Sequence, residues 1–301
     1  MTTGSRPLAR ILVGAILISF SPVLVRLADI APTPAGFYRM AVGGVVLAAI
    51  TFARGHRWNG GRGYLSLCVL AGVVFAADLA FWHRSIVFVG PGLATILGNT
   101  QVFILAAFGI VVLRERASPR LLVGVPLAVV GLFLIFGREW DALDADYHWG
   151  VVFGLLTALS YASYLLALRA ARRRAPEIDA MATVAAISLL SAGILAAAVV
   201  FEGASFRVPN LTTAGLLLAY GLLIQVVGWV LISSGLPHVD TSRAGLVLLL
   251  QPALAFVWDL LFFARPTSAV EMGGALLTLG AIYLGLTGHV PREPVPTDAP
   301  D

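Results

Sequence analysis

Read as apolar runs and polar breaks, the chain divides into ten stretches, each close to the ~20 apolar residues that a bilayer-spanning helix takes. They fall at 9–28, 34–53, 64–82, 88–113, 119–136, 149–168, 180–201, 212–235, 241–263 and 268–287. The pattern predicts an all-α polytopic membrane protein with ten transmembrane helices. The longest connections, 137–148 and 169–179, are too short to form a soluble domain. Residues 288–301 are rich in Pro and Asp and lack an apolar period, which predicts a disordered tail. The first run contains Pro22 and Arg26 and is longer than a signal-peptide core, so it reads as a retained span.

Composition supports the pattern. Of 301 residues, 59% are hydrophobic and 12% charged, where soluble domains carry about 25% charged. Too little polar surface remains to cover a soluble core of this size. All 20 basic residues are arginine, which removes P-loop and Schiff-base lysine chemistry. The lone Cys68 cannot form an intramolecular disulfide.

Arginine placement gives the spans an orientation. With a cytoplasmic N-terminus, fourteen arginines fall on inside segments and four, Arg84, Arg138, Arg207 and Arg265, on outside loops. Arg26 and Arg39 remain within the membrane. This positive-inside bias predicts both termini in the cytoplasm of a plasma (inner) membrane protein. Arg172–Arg174 then reads as an inside loop, so no nucleic-acid partner is expected.

The chain also repeats itself. A shift of 150 residues places Val89 on Val239, Ala94 on Ala244, Gln101 on Gln251, Ser118 on Ser268, Gly124 on Gly274 and Leu134 on Leu284. The register holds without a gap from about 81 to 136. Each repeat holds five helices, an odd number, so the second copy must start from the opposite face. Two inverted five-helix repeats, 9–136 and 149–287, are therefore predicted, with a solute site between them near mid-membrane.

These residues resemble the ten-helix, EamA-type branch of the drug/metabolite transporter superfamily. The resemblance covers roughly 9–287. It rests on Ser19–Ala28 (SFSPVLVRLA), Phe37–Met40 (FYRM) and Gly92–Ser118 in the first half, and on Asp240–Phe256 with its Gln251-Pro252 in the second. It implies a central cavity between the repeats and, most commonly, efflux of amino acids or related metabolites. The sequence departs from the family pattern at Arg265, where a Glu is usual, and at Val102, the counterpart of Pro252.

Ionisable residues inside spans are costly and mark candidate function. Arg39, Asp78, His83 and Asp259 fall at similar depth near the outer boundary and form a candidate gating or coupling set. One reading is a charged vestibule or Asp–Arg gate for a zwitterionic or anionic solute, with Asp78 or Asp259 also a candidate proton carrier. The other is a structural Arg39–Asp78 ion pair, with Arg26 snorkelling to the interface. Below that plane lies an uncharged polar set: Ser19, Asn99, Gln101, Tyr161, Tyr164, Gln225, Trp229 and Gln251. Hydroxyls, amides and rings can bind a small organic solute without burying charge. They can equally hydrogen-bond helix to helix.

Other chemistry is not signalled. No His/Cys/Glu cluster has metal-ligand spacing, and no nucleophile elbow or zinc-protease motif occurs, so no catalytic residue, metal or cofactor is expected. Glu115 reads as an ion-pair anchor for the fourth helix rather than a catalytic acid. Helices 5 and 10, with Gly124, Gly131, Gly273 and Gly274, offer a packing or homodimer face. The expected function is secondary transport of a small polar or amphipathic, amino-acid-like metabolite by alternating access, with membrane lipid as surroundings. The alternative is a membrane-embedded enzyme acting on a lipid or isoprenoid substrate.

Overall fold

The computed structural model describes residues 5–55, 60–115, 118–136, 145–263 and 268–286. Among these, all regular structure is helical. The elements are α1 (Ser5–Ile18), α2 (Ser21–Ala28), α3 (Pro32–Ala53), α4 (Gly61–Asn99), α5 (Gln101–Ala107), α6 (Pro119–Phe136), α7 (Ala145–Arg174), α8 (Ala180–Phe201), α9 (Leu211–Ala219), α10 (Trp229–Gly235), α11 (Thr241–Leu248), α12 (Leu250–Phe263) and α13 (Ala269–Leu286). Two π-wound turns, Phe108–Val112 and Tyr220–Gly228, follow α5 and join α9 to α10. Among the described residues, seven helical stretches are long and apolar enough to cross a membrane. The 288–301 tail, Arg265 and most of the 137–148 connection lie outside the described residues.

The helical run α4 is not straight. Gly98 comes beside Trp82, with only 4.0 Å between the ring and the position of a Cβ on Gly98. Sixteen residues of straight helix would separate them by about 24 Å. Both arms lie against α7: Phe75 stacks on Tyr164, with ring centroids 4.0 Å apart, and Leu97 packs on Gly154, while Ser85 between the arms donates to the carbonyl of Gly150 at 2.8 Å. The runs 64–82 and 88–113 thus lie side by side.

Among the described residues, three helices break within the bundle, at Ser19–Phe20 (α1/α2), Thr100 (α4/α5) and Leu249 (α11/α12). Two of these breaks have a proline as their cause. Pro22 and Pro252 carry no N–H for the carbonyls of Ile18 and Leu248, four residues earlier. At the third, the Thr100 hydroxyl donates to the Leu97 carbonyl at 2.6 Å. Irregular backbone at membrane depth is tolerated where it is buried in protein or lines a cavity.

The predicted glycine face of helices 5 and 10 is, in part, an intrachain contact. A Cβ on Gly131 would lie 2.7 Å from the Gly274 carbonyl, and one on Gly124 would lie 2.9 Å from that of Ala281. The Thr278 hydroxyl reaches the Ala128 carbonyl at 3.3 Å. Gly273, by contrast, faces open space.

At the end of the fourth predicted helix, Arg114 adopts a left-handed conformation (φ 53°). Glu115 N–H then donates back to the Gly109 carbonyl at 2.9 Å, closing the helix in a Schellman-like turn. The turn aims the Glu115 carboxylate at α7 and α11, where Arg169 lies 3.4 Å away. The expected ion-pair anchor is present, with Arg169 as its partner.

Candidate functional site

The three helix breaks surround one cavity. Ile18, Ser19, Ser21 and Pro22 line it from the first break, Gly98 and Asn99 from the second, and Gln251, Pro252 and Ala255 from the third. Facing them are Arg39 on α3, Phe75, Asp78, Leu79 and Trp82 on α4, Thr157 and Tyr161 on α7, and Trp229 on α10. The space open to water centres is about 100 Å³, several times the ~10–15 Å³ that one water needs.

The two charged residues on this wall do not pair. Among the described residues, no cation lies within 4.0 Å of the buried Asp78 carboxylate, and it accepts no hydrogen bond from the protein. Arg39 turns its Nε to the Gln225 amide oxygen (3.1 Å) and its Nη1 to the Tyr220 hydroxyl (3.2 Å). The structural Arg39–Asp78 ion pair, one of the two readings of these residues, is therefore absent among the described residues. Both residues line the cavity, one side chain held and the other unpartnered.

Other polar groups on the wall are also unpartnered. Ser21 Oγ and Trp229 Nε1 are buried with no hydrogen-bond partner among the described residues. Buried polar groups normally find a partner, so such atoms at a cavity wall are free to meet a solute or water. Two contacts hold the remaining lining in shape. Gln251 Nε2 donates to the Tyr161 hydroxyl at 3.2 Å, and Trp258 Nε1 donates to Ser19 Oγ at 2.7 Å. Trp258 also stacks on Phe20, with ring centroids 4.3 Å apart, bracing the α1/α2 break.

Of the neutral set read from the sequence, Ser19, Asn99, Tyr161, Trp229 and Gln251 line the cavity. Gln225, Tyr164 and Gln101 do not. Gln225 stands behind Arg39, and Tyr164 lies flat on the back of Phe75, with centroids 4.0 Å apart. Gln101 is fully buried away from the cavity, its amide without a partner among the described residues. Depth along a span can be counted from the sequence, but the face a side chain presents depends on local winding and neighbours. His83 is buried next to Gly36, off the cavity wall, and the side chain of Asp259 lies outside the described residues.

The sequence reading missed Phe75 and Trp82. The signal was available: Phe75, Asp78, Leu79 and Trp82 follow the i, i+3, i+4, i+7 spacing of one helical face. Once Asp78 faces the cavity, the two rings face it too.

The EamA-like transporter family model matches the chain twice, at residues 7–137 and 148–287. The chain belongs to this family. It is a multi-pass membrane transporter of the drug/metabolite type. An uncharacterized transporter of Archaeoglobus fulgidus is 26% identical over 174 residues, spanning 57% of this chain and 59% of that protein's length. The uncharacterized inner membrane transporter YhbE of Escherichia coli (strain K12) is 24% identical over 92% of this chain and 88% of its own. A Salmonella typhimurium protein named "Probable amino-acid metabolite efflux pump" is 23% identical over 72% of this chain and 74% of its own. A solved crystal structure of a protein shares the fold at a TM-score of 0.81, with 16% identity, over 95% of this chain and 99% of that one.

Proposed function

We propose that this EamA-like transporter moves a small polar or amphipathic, amino-acid-like metabolite across the plasma membrane by alternating access, in the direction of efflux. The observation that carries the reading is the cavity where three broken helices meet, lined by an unpartnered acid, a held arginine and free polar groups. Discontinuous helices around a mid-membrane site are how secondary transporters bind solute. The direction and solute class rest on the efflux pump named above.

The proposed frame is ten spans in two inverted repeats, 9–136 and 149–287, with both termini cytoplasmic. The fold-back of α4, which makes two arms of one helical run, supports the count of ten. Two family matches in one chain support the repeat. So does the agreement of Ser118 and Ser268, 150 residues apart, as capping residues of α6 and α13. In this frame Ser19, Asn99, Tyr161, Trp229 and Gln251 contact the solute, and Arg39 and Asp78 govern its charge. A homodimer would use the outward side of α6 and α13, where Gly273 is open.

The test is solute flux in proteoliposomes containing the purified chain alone, over amino acids, nucleosides, sugars and amphipathic amines. Saturable counterflow of at least one solute, reduced by Tyr161→Phe or Gln251→Ala, is expected. No flux across the panel with monodisperse, reconstituted protein overturns the reading. In the same assay, Asp78→Asn reports on coupling. Flux that persists but no longer responds to a pH gradient assigns the proton to Asp78, and an unchanged response removes it.

A further inference from the structure

We propose that the π-wound turn Tyr220–Gly228 is a cradle that fixes Arg39 as the cavity's anion-recognising group, with Gln225 as its positioning residue. The inference deepens the transport reading, because it specifies an oxyanion such as a carboxylate on the transported solute.

Winding is the first reason. Tyr220 and Gln225 are five residues apart. In an α-helix, residues five apart point about 140° away from each other. A π-turn bonds i to i+5 and brings such residues onto one side. Here both reach a single guanidinium, Tyr220 through its hydroxyl at 3.2 Å and Gln225 through its amide oxygen at 3.1 Å. The same turn wound as an α-helix would keep only one of these contacts.

The second reason is that the cradle is anchored and tightly packed. The other end of the Gln225 amide donates to Ser188 Oγ on α8 at 2.8 Å, so the amide cannot flip without breaking a buried bond. Gln225 and Ser188 are fully buried. Gly43 and Gly221 let α3 and the π-turn approach: a Cβ on Gly43 would lie 2.5 Å from Gln225 Cγ, and one on Gly221 would lie 2.5 Å from Val42.

The third reason is what the cradle leaves free. A guanidinium has five N–H donors, and Gln225 and Tyr220 each take one. Phe75 and Tyr220 lie 5.6 and 5.2 Å from the guanidinium carbon and further restrict the group. Among the described residues no carboxylate lies within 4.0 Å of it, and the remaining donors serve the cavity that Arg39 lines. Guanidinium is well suited to bidentate carboxylate recognition.

The test uses charge-selective labelling and no transported solute, so its outcome is independent of the flux assay. In a Cys68→Ala background, Ala255→Cys places a thiol on the cavity wall. The reactions of anionic sulfonatoethyl and cationic trimethylammonioethyl methanethiosulfonate are then compared as a rate ratio, with Asp78 present throughout. Arg39→Gln is expected to lower the anionic-to-cationic ratio about tenfold, the scale on which a lined cleft concentrates counter-charge. Gln225→Leu, similar in volume but without the amide, is expected to move the ratio most of the way to that of Arg39→Gln. Ser188→Ala moves it part of the way and serves if Gln225→Leu does not fold.

An unchanged ratio in both Gln225→Leu and Ser188→Ala, with Arg39→Gln still lowering it, overturns the cradle. An unchanged ratio in Arg39→Gln overturns Arg39 as the anion-recognising group. A thiol at 255 that reacts with neither reagent overturns the exposure of Arg39 to an aqueous cavity. If the ratios respond as expected but no solute moves, the transport reading fails and the cradle stands.

Discussion

Glu115 and Thr241, 126 residues apart in sequence, meet through one backbone hydrogen bond. The Thr241 N–H donates to the carboxylate at 2.8 Å, and the Ser242 N–H and hydroxyl both donate to its second oxygen at 3.2 Å. Glu115 thus satisfies backbone donors in the first turn of α11, where a negative charge also complements the positive end of the helix dipole. Arg169 on α7 neutralises the charge, with both side chains at most 10% exposed. The end of the fourth predicted helix is joined here to α7 and α11.

Breaking this junction should cost stability. Removing one partner of a buried ion pair typically costs about 3–5 kcal/mol. Glu115→Ala should approach that figure, because it also leaves two backbone donors unpaired. Glu115→Gln, which keeps an acceptor, should cost less. Unfolding in detergent, followed by helical circular dichroism, orders the variants as native, then Gln, then Ala.

Two glycines 142 residues apart should respond to alanine with opposite sign. At Gly131 a methyl group would collide with Thr278 Oγ1 and lie 2.7 Å from the Gly274 carbonyl, and backbone cannot move aside cheaply. Gly131→Ala should destabilise by about 1–3 kcal/mol. Gly273 has nothing within 4 Å. Gly273→Ala should be neutral or stabilise by up to about 1 kcal/mol through the lower chain entropy of alanine. A thermal shift of the same sign for both would contradict the α6–α13 contact.

Trp258→Phe removes the 2.7 Å hydrogen bond to Ser19 but keeps a ring to stack on Phe20. A hydrogen bond of this type contributes about 1 kcal/mol. The loss should fall mainly on solute affinity, since Ser19 lines the cavity and the break it marks is held from outside by the indole. A KM raised by about fivefold at little-changed maximal flux is the expected result. Trp258→Leu, which also removes the stack, should lower maximal flux as well.

The start of α13 carries a capping box. Ser268 N–H donates to the Glu271 carboxylate at 2.6 Å, and Glu271 N–H donates to Ser268 Oγ at 3.3 Å. Ser268→Ala should cost about 1 kcal/mol, and Ser268→Asp should restore most of it. Both are read by the same unfolding measurement.

The sequence by itself determined the class and the raw material of the site. Apolar runs of spanning length cannot be hidden in a 301-residue soluble core, so membrane residence followed from pattern and composition. Pro22, Pro252 and the ionisable pair Arg39 and Asp78 were visible for the same reason: each is costly inside a bilayer unless something compensates. Helical spacing from Asp78 could also have given Phe75 and Trp82.

The tertiary structure decided what those residues face. Arg39 and Asp78 have opposite charges and similar depth, which suggested a pair from sequence. Yet Arg39 is taken by Tyr220 and Gln225 from a helix some 180 residues away. Gln225 reaches it only because the helix there is π-wound, and the 3.6-residue period assumed in reading the sequence does not reveal that turn. Tyr164, on the regular helix α7, lies behind Phe75, and Gln101 is buried off the cavity, because of the neighbours that each meets in the bundle. Hydrophobicity fixes depth because water and lipid act on each residue separately. Which neighbour a polar atom meets depends on winding and on close approach at glycines such as Gly43 and Gly221, and those are properties of the packed bundle.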